Sequence, residues 1–178
     1  DHAQSKSAEE PLSIGGNAPL SKVYAYDPVP AVLSKDQQKH IIGVQANLWT
    51  EYIATTAKAE YMLLPRMLAL SEIAWTQTAN KDYENFAEQR VAHHLAKLEA
   101  AGYNCRVPVP AGMRDKDSVT NGKELKIELK PTVEGAKIYY TIDGYDPRET
   151  DVQYSTALRF PVPEGKYMEF KAIQVTPA

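Results

Sequence analysis

The chain has 178 residues, is 43% hydrophobic, and carries 20 basic against 23 acidic side chains for a formal net charge of −3. That suffices for one large domain or two small ones, and the mixed charges form no basic patch to hold a phosphate backbone, which argues against nucleic acid as a partner. No apolar run approaches the ~20 residues of a membrane-spanning helix; the single cysteine, Cys105, excludes an intrachain disulfide, and it combines with none of the four histidines at a zinc-ligand spacing.

In chain order, the opening segment through Gly15-Gly16 and Pro19 is rich in loop formers, and Tyr24 to Pro30 continues as an irregular, aromatic-bearing connection. Its first residues lack a basic start followed by an apolar core, and the absence of an initiator Met implies a processed or truncated N-terminus. Ser34 with Gln37 three residues on is a capping-box pair, predicting a short helix from Lys35 to His40. Gly43 to Leu48 is short, apolar and nearly uncharged, which predicts a buried strand. Pro65 cannot lie inside a continuous helix, so the following pattern divides into helices Ala57–Leu64 and Pro65–Trp75. Tyr83, Phe86, Ala87, Arg90, Val91, His94, Leu95 and Leu98 recur at three- and four-residue spacing, an amphipathic helix with Asp82 as cap and Gly102 as stop.

Beyond Asn104, Pro108, Pro110, Gly112 and the charged Arg114–Asp117 mark a linker, placed at residues 108–122 between a first domain of residues 1–107 and a second of 123–178. The second domain reads as all-β. Leu125, Ile127 and Leu129 alternate with charged residues, Ile138, Tyr140 and Ile142 keep the same two-residue period, and Phe170, Ala172 and Gln174 continue it, with turns at Asp143-Gly144 and Glu164-Gly165. About 60 residues is short for a seven-stranded sandwich, so a small, incomplete antiparallel β-sandwich is expected.

The chemistry-bearing feature is Gly43-Val-Gln-Ala-Asn-Leu-Trp-Thr-Glu51, where an indole and a carboxylate stand two residues apart at the end of the expected strand. On base rates Trp49 alone is a core residue and Glu51 alone a solvated acid. Together at a strand end they form a pair suited to gripping a sugar ring, the indole under its C–H face and the acid accepting from its hydroxyls. Trp75, Tyr61, Met62, Leu63, Met67 and Leu70 read as helix core. His93 and His94, about 100° apart on a helix with no third ligand near, read as one solvated and one core-edge histidine rather than a metal site. Asp143-Gly144-Tyr145-Asp146 lacks the further acids of a calcium loop and reads as a tight turn. Tyr139, Tyr140, Tyr145 and Tyr154 read as ordinary strand residues.

Glu10–Gly16, Lys22–Pro30, Gly43–Glu51 and Glu60–Trp75 resemble the final barrel segments of a family 20 glycoside hydrolase, a β-N-acetylhexosaminidase, and Ile138–Gly144 resembles that family's C-terminal β-module. The resemblance implies an α/β first domain, the last part (strands 7–8 and following helices) of a (β/α)8 TIM barrel; residues 1 to about 105 cannot close a barrel that needs ~250. It implies substrate-binding roles for Trp49, Glu51 and Asp1: the indole as a wall of the −1 subsite, the two acids as hydroxyl acceptors. The family's catalytic Asp-Glu dipeptide occurs nowhere in the sequence, so the resemblance implies no catalytic residue here and an inactive fragment. It also implies an N-acetylhexosaminide glycan as substrate, no metal and no organic cofactor, and an exported parent enzyme; the compartment itself is not legible. The remainder of the parent chain or self-association would cover the barrel edges. The alternative from another class is an independent, non-catalytic carbohydrate-binding or interaction module.

Overall fold

The computed structural model describes residues 2–8, 10–113, 124–161 and 167–177. It comprises two compact units, residues 1–106 and residues 107–178.

The first unit is mixed α/β. Two short strands, β1 (His2–Ala3) and β2 (Ile14–Asn17), pair in parallel inside the segment expected to be loop. Helix α1 (Leu20–Tyr24) follows, then α2 (Lys35–Gln38), where both halves of the Ser34–Gln37 capping box are present. Helix α3 (Thr56–Leu63) is capped by the Thr55 hydroxyl, and α4 (Arg66–Trp75) starts after Pro65, whose missing N–H suits a helix entry. The last helical run is α5 (Tyr83–Asn85), a π-helical turn over Phe86–Arg90, and α6 (Val91–Ala100). Asp82 caps it as expected, accepting from the Asn85 amide at 3.0 Å, and Gly102 ends it at a φ of +84°.

These helices enclose a core of Tyr24, Leu64, Ala69, Phe86, Val91, Leu95 and Cys105. The Tyr24 ring stacks on Phe86 with centroids 4.7 Å apart, and each large apolar side chain buried there contributes about 1.5–3 kcal/mol. The π-helical turn sets Arg90 against α4, where its guanidinium donates to both Glu72 carboxylate oxygens at 2.7 and 2.8 Å.

A buried carboxylate joins the opening segment to this core. Glu10, its side chain 8% exposed, accepts from the Ser5 hydroxyl at 2.7 Å, from the Gln4 amide, from the Tyr61 hydroxyl of α3, and from Arg106 Nε, the last three at 3.2 Å. Gln4, buried beside it, donates from its side chain to the carbonyls of Leu64, at 3.1 Å, and Tyr61. Burial pushes the Glu10 carboxyl up, but the Ser5 hydrogen bond, the Arg106 charge and the Gln4 amide outweigh it and hold the group below the usual carboxylate range. Burial lifts the Tyr61 phenol above its ordinary value, which keeps it a donor to Glu10.

Three expectations are corrected. Gly43–Leu48 is not a buried strand: it has no regular structure, and only Val44 and Leu48 are half-buried. A strand exists only through ladder bonds to a neighbour, and none pairs with this run among the described residues. Trp75, 91% exposed, and Met67, 47% exposed, are not core; they occupy the outer side of α4, while Ala69 and Ile73 face inward. His94 is exposed like His93, since the buried stripe of α6 is Val91 and Leu95.

The second unit is all-β. Strand β3 (Glu124–Ile127) pairs antiparallel with β6 (Leu158–Pro161), and β4 (Lys137–Thr141) lies between β5 (Val152–Gln153) and β7 (Lys171–Val175), also antiparallel. The expected alternation holds for Ala172 and Gln174, both buried in β7, and for Ile138 in β4, whereas Ile142 lies beyond the strand and is 48% exposed. Leu129, Ile138 and Ala172 form the core with Ile127, Tyr140, Tyr154 and Phe170 around them. Gln174 is satisfied by accepting from the Thr132 amide at 2.9 Å and donating to the Pro108 carbonyl at 2.7 Å and the Thr132 hydroxyl. Residues 108–113, expected to open the linker, pack into this unit: Pro108 and Pro110 are buried and Ala111 bridges Lys130. Gly112 fits because a Cβ there would stand 2.2 Å from the Glu128 carbonyl oxygen. The turn at Asp143-Gly144 follows β4, with Gly144 at a φ of +85°; residues 114–122 and the turn expected at Glu164-Gly165 lie outside the described residues.

Replacing Glu10 by Gln should cost about 1–3 kcal/mol at neutral pH, because it removes the charge that balances Arg106 and three further donors. With the native carboxyl depressed, its contribution is complete above the unfolded pKa near ~4.3 and is lost as pH falls through and below that range. Denaturant melts of the two proteins should therefore differ most at pH 7 and converge toward pH 3; a gap independent of pH would show that the charge is not what stabilises.

Candidate functional site

The Trp49–Glu51 stretch lies between the irregular run from Gly43 and the N-terminus of α3. It is open to solvent, with Trp49 64% exposed and Glu51 also exposed. Burial along it keeps a partial two-residue alternation: Val44 and Leu48 are half-buried, while Gln45, Asn47, Trp49 and Glu51 are exposed. Gln45 Nε2 donates to Asn47 Oδ1 at 2.7 Å, so two amides, an indole and a carboxylate lie at successive odd positions of one segment. Beyond Glu51 the chain turns, the Ile53 amide donating to the Thr50 carbonyl at 3.0 Å.

The turn is held from α3. The Thr55 hydroxyl accepts from the Lys58 amide at 3.2 Å, and the Lys58 ammonium donates to the carbonyl of Tyr52 and, at 2.6 Å, to that of Leu12. Lys58 is the residue that sequence reading missed; its visible signal is a cation in the first turn of a helix, where the positive end of the dipole disfavours it. Asp1 lies outside the described residues.

Chemically, an exposed indole beside a carboxylate can take one face of a pyranose and accept hydrogen bonds from its hydroxyls. Two shallow clefts of this unit lie elsewhere. One, about 290 Å³, is lined by Val29, Ile41, Ile42, Ile73 and Lys81; the other, about 320 Å³, by Leu68, Glu72, Trp75, Phe86, Arg90 and His94. Neither includes Trp49 or Glu51, and an openness of that kind lacks the enclosure of a small-molecule pocket, so residue chemistry outweighs cleft size in locating the site. Among the described residues no group of three or more His, Cys, Asp or Glu could hold a metal ion, and no helix is long and apolar enough to cross a membrane.

Residues 1–78 match the catalytic domain of glycosyl hydrolase family 20, and residues 127–178 match the Fn3 associated family. The first of these segments contains both Trp49 and Glu51. Across 163 residues the chain is 37% identical to the β-hexosaminidase of Porphyromonas gingivalis, covering 90% of this chain and 20% of that one. Among solved structures it resembles the family 20 exo-β-N-acetylglucosaminidase of Vibrio harveyi in complex with N-acetylglucosamine, with a TM-score of 0.54 and 32% identity over 60% of this chain and 17% of that one. It also resembles the family 20 β-N-acetylhexosaminidase of Streptomyces coelicolor A3(2), with a TM-score of 0.51 and 26% identity over 59% and 21% of the two chains. The chain thus spans about a fifth of the length of each of these relatives.

Both indoles, Trp49 and Trp75, are largely in water. Tryptophan emission of the native chain should lie at the red, solvent-exposed end of its range and be quenched by acrylamide nearly as well as in denaturant. A blue-shifted, protected emission would mean that one of the two is covered.

Proposed function

We propose that Trp49 and Glu51 form part of a subsite for a terminal N-acetylhexosamine, within a β-N-acetylhexosaminidase that removes N-acetylglucosamine or N-acetylgalactosamine from glycan ends. The observation that carries this reading is the pairing of an exposed indole with an exposed carboxylate, two residues apart, inside the segment matched to the family 20 catalytic domain. The C–H face of the sugar would rest on the Trp49 ring, and Glu51 would accept from its outer hydroxyls, with Asp1 as a second acceptor.

In this reading residues 1–107 are the last part of a (β/α)8 barrel and residues 123–178 a small β-sandwich module, with the connecting residues 108–113 already packed into that module. Gly43–Leu48 would gain its ladder only against neighbouring barrel strands, which accounts for an apolar run left without pairing. The exposed Ile42 and Trp75 fit the same picture, as surfaces that further chain or a second copy covers.

Hydrolysis would be substrate-assisted. An adjacent Asp-Glu pair, absent from these 178 residues, would supply a carboxylic acid to protonate the leaving oxygen and a carboxylate to orient the substrate's own acetamido group. That group's oxygen attacks the anomeric carbon as the glycosidic bond breaks, and water then opens the cyclic intermediate with retention. The contribution of this chain is binding: it holds the ring in position, and the proton transfers belong to the missing pair.

Titration with N-acetylglucosamine should change the tryptophan emission of the chain. Trp49→Ala should abolish the response, and Glu51→Gln should weaken affinity about ten-fold, the loss of one charge-assisted hydrogen bond. An aryl N-acetylglucosaminide should not be turned over. Sugar binding that survives Trp49→Ala would refute the subsite, and turnover by this chain would refute the dependence on an Asp-Glu pair.

A further inference from the structure

Lys58 occupies the third position of α3, in a first turn that contains no acidic residue. A lysine there meets the partial positive charge of the helix N-terminus, so local helix preference does not explain it. Its contacts lie outside the helix. The ammonium bridges the Leu12 carbonyl, 46 residues back and at 2.6 Å, and the Tyr52 carbonyl, one residue past Glu51. Lys58 is half-buried, and its backbone amide is fixed by Thr55.

The stretch it holds has little else to hold it. Among the described residues, the other hydrogen bonds made by residues 43–53 are internal to that stretch, Gln45 to Asn47 and Ile53 to Thr50. A segment without ladder bonds samples many backbone conformations, and an indole and a carboxylate grip one sugar only when their separation is fixed beforehand.

We infer that Lys58 is the positioning residue of the Trp49–Glu51 pair, an ammonium bridge that fixes the turn after Glu51 to the Leu12 loop and so sets the pair's geometry for its sugar. The functional half of this inference rests on the reading of Trp49 and Glu51 as sugar contacts. Lysine suits the task because its three donors radiate from one point and reach two carbonyls without requiring a planar fork. Methionine keeps the stem and removes the donors; arginine keeps the charge and can still reach both oxygens.

The test is amide hydrogen exchange on the whole chain, comparing the native protein with Lys58→Met and Lys58→Arg. The Ile53 amide and the peptide around it should exchange about ten-fold faster or more in Lys58→Met, with the amides of α4 unchanged as an internal control and with protection restored in Lys58→Arg. Unchanged exchange at Ile53, or an equal acceleration throughout α4, would overturn the bridge as a local positioning device. In parallel, the N-acetylglucosamine affinity of Lys58→Met should fall with the loss of protection and recover in Lys58→Arg, while undiminished affinity in a loosened stretch would overturn the positioning role. If exchange behaves as expected but no protein responds to the sugar, the subsite reading fails and takes the functional half of the inference with it.

Discussion

The first unit depends on a carboxylate that has been taken out of water. Desolvating Glu10 is unfavourable unless every lone pair finds a donor, and the chain supplies four from three places: Gln4 and Ser5 beside it, Tyr61 on α3, and Arg106 at the end of the unit. The most distant donor, Arg106, stands 96 residues from Glu10 in sequence, so satisfying one buried charge brings the beginning, middle and end of the unit together. Apolar packing among Tyr24, Phe86, Val91 and Leu95 is non-directional and would tolerate small slips of the helices. The hydrogen-bonded charge does not, and it fixes where the opening segment lies on α3.

That segment carries Leu12, which returns through Lys58 to the turn after Glu51. Order therefore passes outward by polar contacts: from Glu10 to the opening loop, from the loop to an ammonium, and from the ammonium to the stretch that bears Trp49. This arrangement suits the proposed sugar contact, because burying the indole in the core would stabilise the fold and remove the face offered to the ring at once.

Wherever a local rule was sufficient, the sequence was legible. The Ser34–Gln37 capping box, the entry at Pro65, the Asp82 cap and the Gly102 stop are decided by near neighbours, and each stands where its chemistry places it. The alternation of Ala172 and Gln174 showed which face of β7 is inward, although not that Gln174 is satisfied by Thr132 and Pro108. Gly43–Leu48 failed because apolar content says only that a segment could be a buried strand; pairing is a property of its neighbours. Trp75 failed for the converse reason, since large apolar side chains on a helix are normally inward and α4 turns this one out. The π-helical turn at Phe86–Arg90 leaves no mark on a three- and four-residue spacing. Of the candidate site, Trp49 and Glu51 were visible as residue types in a recognisable order, whereas Lys58 acquires meaning only through a carbonyl 46 residues away.

Cys105 lies within the core of the first unit, and burial, reinforced by the charges of Glu99 and Glu60, pushes its thiol up to about 11. At neutral pH about one molecule in ten thousand holds the reactive thiolate, and that one is screened by packing. The native chain should accordingly react slowly with maleimides and other thiol reagents while it stays folded. A single engineered surface cysteine would then carry a fluorophore with little competing label, and the buried thiol, exposed on unfolding, would serve as an internal clock for how often the unit opens.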